Sequence, residues 1–155
     1  MKYELGRVRE LWTKGEKGRP MRRVQEMELL AGIGPAESLN KPNTSRQVTL
    51  LAIEGWKGAL ADLGCSGVTL SPGARRANIV MEGFPSLGQL MGKELQIGDS
   101  RIAINPERWT RPCHQMDAIH PGLRAALEVG HRGGIYGIIV VSGLIKPGDT
   151  VFWVV

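Results

Sequence analysis

The stretches Gln47 to Ile53 (QVTLLAI) and Ile135 to Val141 (IYGIIVV) decide the fold prediction, because both are nearly continuous apolar runs of strand length. Each run is bounded by turn-forming residues. Short apolar runs that are rich in β-branched residues and end in turn signals are typical of buried strands. We therefore predict that both stretches are interior strands.

Other short apolar segments extend the β-rich pattern outward from these two. Strands are predicted at Asn78 to Met81 and at Val151 to Val155. The segment Leu95 to Ile102 predicts two strands joined by a Gly-Asp turn, and Ile145 to Phe152 weakly repeats this pattern. The repeat is too short to indicate a solenoid.

Two segments carry helical signals. Glu54 to Leu63 predicts a short helix that stops at Gly64. Pro121 to Val129 predicts a second helix, with Pro at its first position and Gly130 just beyond its end. Both predicted helices are short, and the predicted strands outnumber them.

The amino-terminal third predicts a hairpin followed by a long loop. Residues 3–12 and 20–30 are expected to form two extended arms around a turn that contains Gly15 and Gly18. Residues 31–45 contain little apolar sequence and are expected to form a long loop. Long loops in compact domains often have a function. Since strands outnumber helices without regular β-α-β alternation, we predict a mainly β fold with short helices. The expected architecture is a single β-barrel domain spanning residues 1–155.

Composition is consistent with one core and with a cytoplasmic setting. A chain of 155 residues has the common size of one domain, and its 21 glycines and 9 prolines favour many turns. No apolar run has the length of a membrane span, and the first residues lack the apolar core of a secretion signal. We therefore expect no membrane association. The two cysteines are expected to be free thiols in a reducing compartment.

The net charge of +5 predicts an affinity for anions, but charge alone does not distinguish nucleic acid from a small phosphorylated ligand. The basic residues between 14 and 23 are interpreted as the solvated surface of the hairpin. Isolated arginines beside turn signals are better candidates for ligand contacts, with ordinary surface arginines as the alternative. They are Arg46, Arg75, Arg76, Arg111 and Arg132.

Several familiar sites are excluded by spacing. The Gly32-Ile33-Gly34 run lacks the third glycine of a dinucleotide loop, and no phosphate-loop or serine-elbow motif is present. Two distant cysteines and three scattered histidines do not form the closely spaced pairs of a structural zinc site. Cys65 follows a predicted helix and is interpreted as a small apolar filler.

Cys113 is the candidate catalytic residue. It lies between Arg111 and His114, where the chain leaves a predicted strand. Nearby cations favour the thiolate, which is the form that attacks sulfur or binds a soft metal. A buried structural thiol is the alternative.

Six short motifs follow one another along about two thirds of the chain. They are Arg46 to Leu51, Pro72 to Val80, Leu90 to Gly98, Arg111 to His114, Gly130 to Gly137 and Ile145 to Val151. Their order resembles the MOSC family, the domain named after the carboxyl-terminal part of molybdenum-cofactor sulfurases. No single motif is specific, but all six occur in the family's order.

This resemblance implies a MOSC-type β-barrel in which Cys113 carries sulfur as a persulfide or ligates molybdenum. The implied cofactor is the molybdenum cofactor, molybdopterin, whose phosphate needs positive charge of the kind that arginine supplies. The implied activities are sulfuration of the molybdenum cofactor or cofactor-dependent reduction of N-hydroxylated compounds. The implied cofactor-binding residues are Arg46, Arg75, Arg76, Asn78, Arg111, His114, His131 and Arg132.

The resemblance also implies partners. A pyridoxal-phosphate-dependent cysteine desulfurase would donate the sulfur, or a molybdoenzyme would accept it. Family members often carry a Gly-Asp with a nearby His before the Arg-Gln strand, whereas this chain has Gly34 to Asn40 (GPAESLN) there, so contacts of that loop are not transferred.

A non-catalytic basic β-barrel that binds RNA or protein is the competing interpretation. The chain has two Phe, two Tyr and four Trp, and no patch of interleaved lysines and aromatic residues of the kind that stacks on bases. Nucleic-acid binding is therefore the less favoured prediction.

Overall fold

The computed structural model describes residues 1–15, 19–38, 41–65 and 70–155. Within these residues the chain forms eleven strands and three α-helices, with four short 3-10 turns between them. The strands are β1 Lys2–Thr13, β2 Arg22–Val24, β3 Met27–Leu30, β4 Gly34–Pro35, β5 Val48–Ala52, β6 Ile79–Glu82, β7 Glu94–Ile97, β8 Ser100–Ile104, β9 Ile135–Val141, β10 Gly143–Ile145 and β11 Thr150–Val154. The helices are α1 Ile53–Asp62, α2 Gln115–Ile119 and α3 Leu123–Glu128.

Seven strands close into a barrel in the order β1-β6-β5-β9-β8-β7-β11, and β11 returns to β1. The closing pair places Lys2 opposite Val154 and Arg7 opposite Thr150. Neighbouring strands are antiparallel except for β5 and β6, which are parallel because α1 crosses between them. Strands β10, β3 and β4 form a small second sheet. The prediction of a mainly β barrel with short helices is confirmed.

Strand β5 is buried on both faces, which explains its continuous apolar sequence. Leu50 and Ala52 belong to the packed interior of the barrel. Leu51 lies on the opposite face and packs with Trp56 and Leu127 under the helices. A strand that is covered on both sides reads as an unbroken apolar run rather than as an alternating one.

Strand β9 has the predicted bounds, but the prediction that it is interior is only half correct. Ile135 and Ile139 are buried, whereas Ile138, Val140 and Val141 are at least 40% exposed. Unlike β5, the outer face of this strand has no helix packed over it in the described part of the chain. An apolar run therefore did not reveal which of its faces would be covered.

The predicted amino-terminal hairpin is wrong in its second arm. β2 pairs with β1, but β3 leaves that sheet and pairs with β10 and β4 instead. The turn residue Gly18 lies outside the described residues. The predicted loop contains β4 and a 3-10 turn at Ala36–Ser38, and its residues 39–40 also lie outside the description.

The two Gly-Asp turns have different roles. β7 and β8 form the predicted hairpin, with Ile97 opposite Ser100. The second pattern is not a hairpin, because β10 pairs with β3 whereas β11 pairs with β7 and β1. The Asp149 carboxylate accepts the Lys146 backbone N–H at 2.8 Å, and this turn carries the chain from the small sheet to the barrel.

The remaining predicted elements are correct to within a few residues. β6 and β11 are each shifted by one residue from their predicted ranges, and so is α1. α3 starts two residues after Pro121, because Gly122 has a φ of 86° that a helix does not contain. Helix α2 was not predicted, since it has only five residues.

None of the described helices has the length and apolar character that a membrane crossing requires.

Candidate functional site

Five of the predicted site residues line one cleft of about 220 Å³. The cleft lies where β1 ends and where β5 and β6 begin, next to the segment that leads into α2. These residues are dispersed over 68 positions of the sequence, and the barrel fold brings them together. The predicted residues that line it are Arg46, Arg75, Arg76, Asn78 and Cys113.

Arg75 is anchored in the wall of the cleft. Its Nε donates to the Gly133 carbonyl at 3.0 Å and its Nη2 donates to the Thr110 carbonyl at 2.9 Å. Burial lowers the pKa of Arg75 below its ordinary value, the charge of Cys113 opposes this, and Arg46 lowers that pKa further. A guanidinium has five N–H donors, so the two backbone bonds orient the group and leave further donors for an anion in the cleft.

Gly133 and Gly134 permit the backbone approach on which this anchor depends. A Cβ at Gly133 would lie 2.4 Å from the Thr110 carbonyl oxygen. Gly134 has a φ of 109°, and a Cβ there would lie 2.7 Å from the Leu50 carbonyl oxygen. Glycine is therefore required at both positions of this MOSC-like motif for a local physical reason. A larger residue would push the backbone away from Thr110 or from Leu50.

Asn78 lines the cleft, but its side chain is used inside the protein. Its Oδ1 accepts from the Thr49 backbone N–H and hydroxyl, both at 3.1 Å. Its Nδ2 donates to the Trp12 carbonyl at 3.2 Å. This amide joins β1, β5 and the start of β6, so the structure gives it a positioning role beside the cleft. Its predicted contact with a cofactor stays a prediction.

Cys113 is exposed at the cleft, whereas Cys65 is buried. The segment that carries Cys113 is fixed by the Thr110 backbone, which donates to the Gly134 carbonyl at 2.9 Å. The Met116 backbone N–H in turn donates to the Cys113 carbonyl at the start of α2. A tethered backbone with an exposed sulfur fits a reacting group better than a packing group.

Thr110 also lines the cleft and carries a buried hydroxyl without a hydrogen-bond partner among the described residues. An unpaired buried hydroxyl is a cost to the folded protein, which makes Thr110 a residue to test at the cleft. Sequence reasoning missed Thr110, because a threonine in an extended segment carries no distinctive signal.

The exposed cations around the cleft come from separate elements. Arg46 lies over the ring of Tyr136, with 4.6 Å between its guanidinium carbon and the ring centroid. Arg76 adopts a left-handed conformation with a φ of 66°, and its Nη1 donates to the Arg19 carbonyl at 3.2 Å. Lys14 also lines the cleft, although its sequence context was interpreted as solvated hairpin surface. That interpretation is incomplete, because the end of β1 brings Lys14 to the site.

Four predicted cofactor-binding residues are absent from the described lining of this cleft. Arg111 is 71% exposed in its side chain and lies 3.5 Å from a Glu128 carboxylate oxygen. His114 is exposed directly before α2. His131 packs edge-on against Trp109, with 4.8 Å between ring centroids.

Arg132 makes contacts between two helices, and its predicted cofactor contact stays a prediction. Its Nη1 lies 2.6 Å from the Asp62 carboxylate and 3.3 Å from the Ala126 carbonyl. Its side chain also covers Gly55 and Gly58 of α1. This arginine therefore ties α3 to α1, and it is not among the described residues that line the cleft.

No family model matches the chain, and no curated protein matches it. Among solved structures, the crystal structure of YuaD from Bacillus subtilis has a TM-score of 0.76 at 18% identity, covering 99% of this chain and 97% of that chain. YiiM from Escherichia coli has a TM-score of 0.68 at 13% identity, covering 96% and 70%. YiiM from Geobacillus stearothermophilus has a TM-score of 0.65 at 14% identity, covering 100% and 76%. These likenesses show a MOSC-like fold.

Proposed function

We propose that this chain is a sulfur-carrying or molybdenum-cofactor-binding domain of MOSC-like fold whose reacting group is the Cys113 thiolate. The observation that supports the proposal is an exposed cysteine on the wall of a basic cleft. Lys14, Arg46, Arg75 and Arg76 surround the same space as Cys113. No Asp or Glu occurs among the described residues that line it.

The residues present fit an anionic, sulfur-rich ligand. Arginine forks grip phosphate oxygens with two parallel hydrogen bonds, and Arg75 is already oriented by its backbone contacts. The unpaired Thr110 hydroxyl offers a further donor or acceptor at the wall. No group of three or more metal-ligating side chains occurs among the described residues, so Cys113 would be a single ligand to a metal that brings its other ligands with it.

When bound, the cofactor would supply a soft molybdenum centre held by dithiolene sulfur. This chain would bind its phosphate through the basic side chains and would present the Cys113 thiolate to the metal or to an incoming sulfur. Orientation of the pterin would fall to the polar wall formed by Arg75 and Thr110. Asn78 would hold the strands that carry these groups.

Sulfur loading would follow thiol-persulfide exchange. The Cys113 thiolate attacks the outer sulfur of a persulfide on a cysteine desulfurase, a new S–S bond forms at Cys113, and the donor cysteine leaves as a thiolate. The step is balanced without an external oxidant, because the persulfide already holds the oxidised sulfur. A cysteine thiolate on a molybdoenzyme partner would then attack the outer sulfur and keep it as its own persulfide, and Cys113 would leave as a thiolate.

The first experiment compares the two cysteines. We expect iodoacetamide near pH 7 to alkylate Cys113 much faster than Cys65, because Cys113 is exposed and Cys65 is 5% exposed. Peptide mass spectrometry measures both rates in one sample, so Cys65 is the internal control. Equal rates would contradict a reactive role for Cys113.

The second measurement tests function directly with Cys113→Ser. We expect this variant to lose added sulfur after incubation with a desulfurase and cysteine, and to lose retained molybdenum and pterin fluorescence. Its melting temperature should stay within about 2 °C, because an exposed serine replaces an exposed thiol. If sulfur loading or cofactor retention persists in the folded variant, the proposal fails. If the wild-type protein held no molybdenum and bound a polyanion column in a salt-dependent way, the non-catalytic basic β-barrel that binds RNA or protein would be favoured.

A further inference from the structure

A second cavity, of about 190 Å³, opens beside the small sheet. Thr13, at the end of β1, forms part of its wall, and Met27, Pro35 and Leu144 provide apolar surface. The described residues that line it are all different from those that line the Cys113 cleft, although Thr13 and Lys14 are neighbours in sequence. It is therefore a separate feature of the fold.

This cavity is acidic in a protein whose net charge is +5. Glu26, Glu28 and Glu37 line it. Glu37 is neutralised by Arg22, with 2.7 Å between Nη2 and the carboxylate oxygen. Glu26 and Glu28 have no ion pair with any described residue. Glu26 and Glu28 therefore line the cavity without a matching cation among the described residues.

Thr13 supplies an independent observation. Its side chain belongs to a residue that is only 2% exposed, and its hydroxyl has no hydrogen-bond partner among the described residues. Folding leaves few buried hydroxyls unpaired, since each costs free energy. Since Thr13 lines the acidic cavity, the missing partner is best supplied by a donor on a ligand there.

The donor set favours an organic cation over a metal ion. Among the described residues, no group of three or more carboxylate, histidine or cysteine side chains lies close enough together to hold a metal. An alkylammonium group has three N–H donors and reaches separated acceptors through its chain, while its methylenes contact apolar walls. From these contacts we infer that the cavity binds an aliphatic diamine or polyamine. One ammonium group lies against Thr13 and a glutamate, and a second meets the other unpaired carboxylate.

Isothermal titration calorimetry and thermal unfolding with spermidine test this inference. We expect saturable, one-site binding to the wild-type chain and a rise of its melting temperature that follows the binding curve. In the double variant Glu26→Gln/Glu28→Gln we expect the affinity for spermidine to fall at least tenfold. Thr13→Val, which keeps the side-chain shape but loses the acceptor, should weaken binding several-fold without lowering the melting temperature of the free protein.

The double variant Glu4→Gln/Glu107→Gln is the matched control, because it removes the same charge from surface positions outside the cavity. This control should bind spermidine as wild type does. Equal loss of affinity in the control would show non-specific charge attraction and would overturn the inference. So would the absence of saturable binding, or one-site binding of Mg²⁺ that Thr13→Val leaves unchanged and that excludes spermidine.

Discussion

At the scale of single residues, the cleft combines satisfied and unsatisfied polar groups. The Arg75 guanidinium donates to two backbone carbonyls, and the Asn78 side-chain amide is hydrogen-bonded to Thr49 and Trp12. The Thr110 hydroxyl, in contrast, is buried without a partner in the described structure. The polar groups of Arg75 and Asn78 are hydrogen-bonded, so the unpaired Thr110 hydroxyl stands out. It adds nothing to the stability of the fold.

Replacement of Thr110 by Val tests this exception. We expect Thr110→Val to raise the free energy of unfolding by up to about 1–3 kcal/mol, because valine has the same shape and removes an unpaired buried hydroxyl. The same variant should retain less molybdenum cofactor or sulfur if the hydroxyl serves a ligand. Thermal or urea unfolding measures the first effect. A destabilised variant would show that the hydroxyl has a partner within the folded protein.

At the scale of elements, the arginines in the MOSC-like motifs have two kinds of surroundings: some line the cleft, and Arg132 packs between helices. Arg75 turns into the cleft from a 3-10 turn, Pro72–Arg75, that ends in the left-handed Arg76. Arg132 lies after α3 and spans the gap to α1, where Gly55 and Gly58 leave room for its side chain. The same residue type therefore lines the cleft in one element and packs two helices together in another.

Arg132→Met separates these roles. We expect the variant to lose about 1–2 kcal/mol of unfolding free energy, because the bond to Asp62 disappears and the packing on α1 is only partly replaced. The alkylation rate of Cys113 should stay within about twofold of wild type. Arg124→Met, on the exposed face of α3, is the control and should change stability by less than about 0.5 kcal/mol. If Arg132→Met abolished cofactor retention while its stability was unchanged, the packing role would be wrong.

At the scale of the whole molecule, the barrel is closed by pairing between strands from the two ends of the chain. β11 pairs with both β1 and β7, and Val151 is fully buried between them. The Met1 carbonyl also accepts the Val155 backbone N–H at 2.8 Å. Closure removes the two exposed edges that an open sheet would leave.

Deletion of residues 151–155 is therefore expected to abolish cooperative folding. The truncated chain would expose the edges of β1 and β7 together with part of the barrel interior. Circular dichroism should show loss of the cooperative thermal transition, and size-exclusion chromatography should show aggregation. Deletion of Val155 alone, which is exposed, is the control and should keep the transition. A truncated monomer with a wild-type melting temperature would contradict the closure argument.

The sequence by itself determined the β-rich class, the strands β5, β6, β9 and β11, helix α1, and Cys113 as the residue on which to focus. These features depend on local properties: apolar runs, turn residues and neighbouring charges within a few positions. The MOSC resemblance correctly indicated the fold because its motifs mark turns and glycine-dependent approaches, such as Gly133 against Thr110.

Only the tertiary structure decided which charges share a site. Arg75 finds its acceptor at Gly133, 58 positions away, and Arg132 finds Asp62 at a separation of 70 positions. The exposed outer face of β9, the departure of β3 into a second sheet and the acidic cavity at Thr13 were decided in the same way. The physical reason is that side-chain partners and covered faces are set by long-range strand pairing and helix placement, whereas sequence patterns report only local conformational preference.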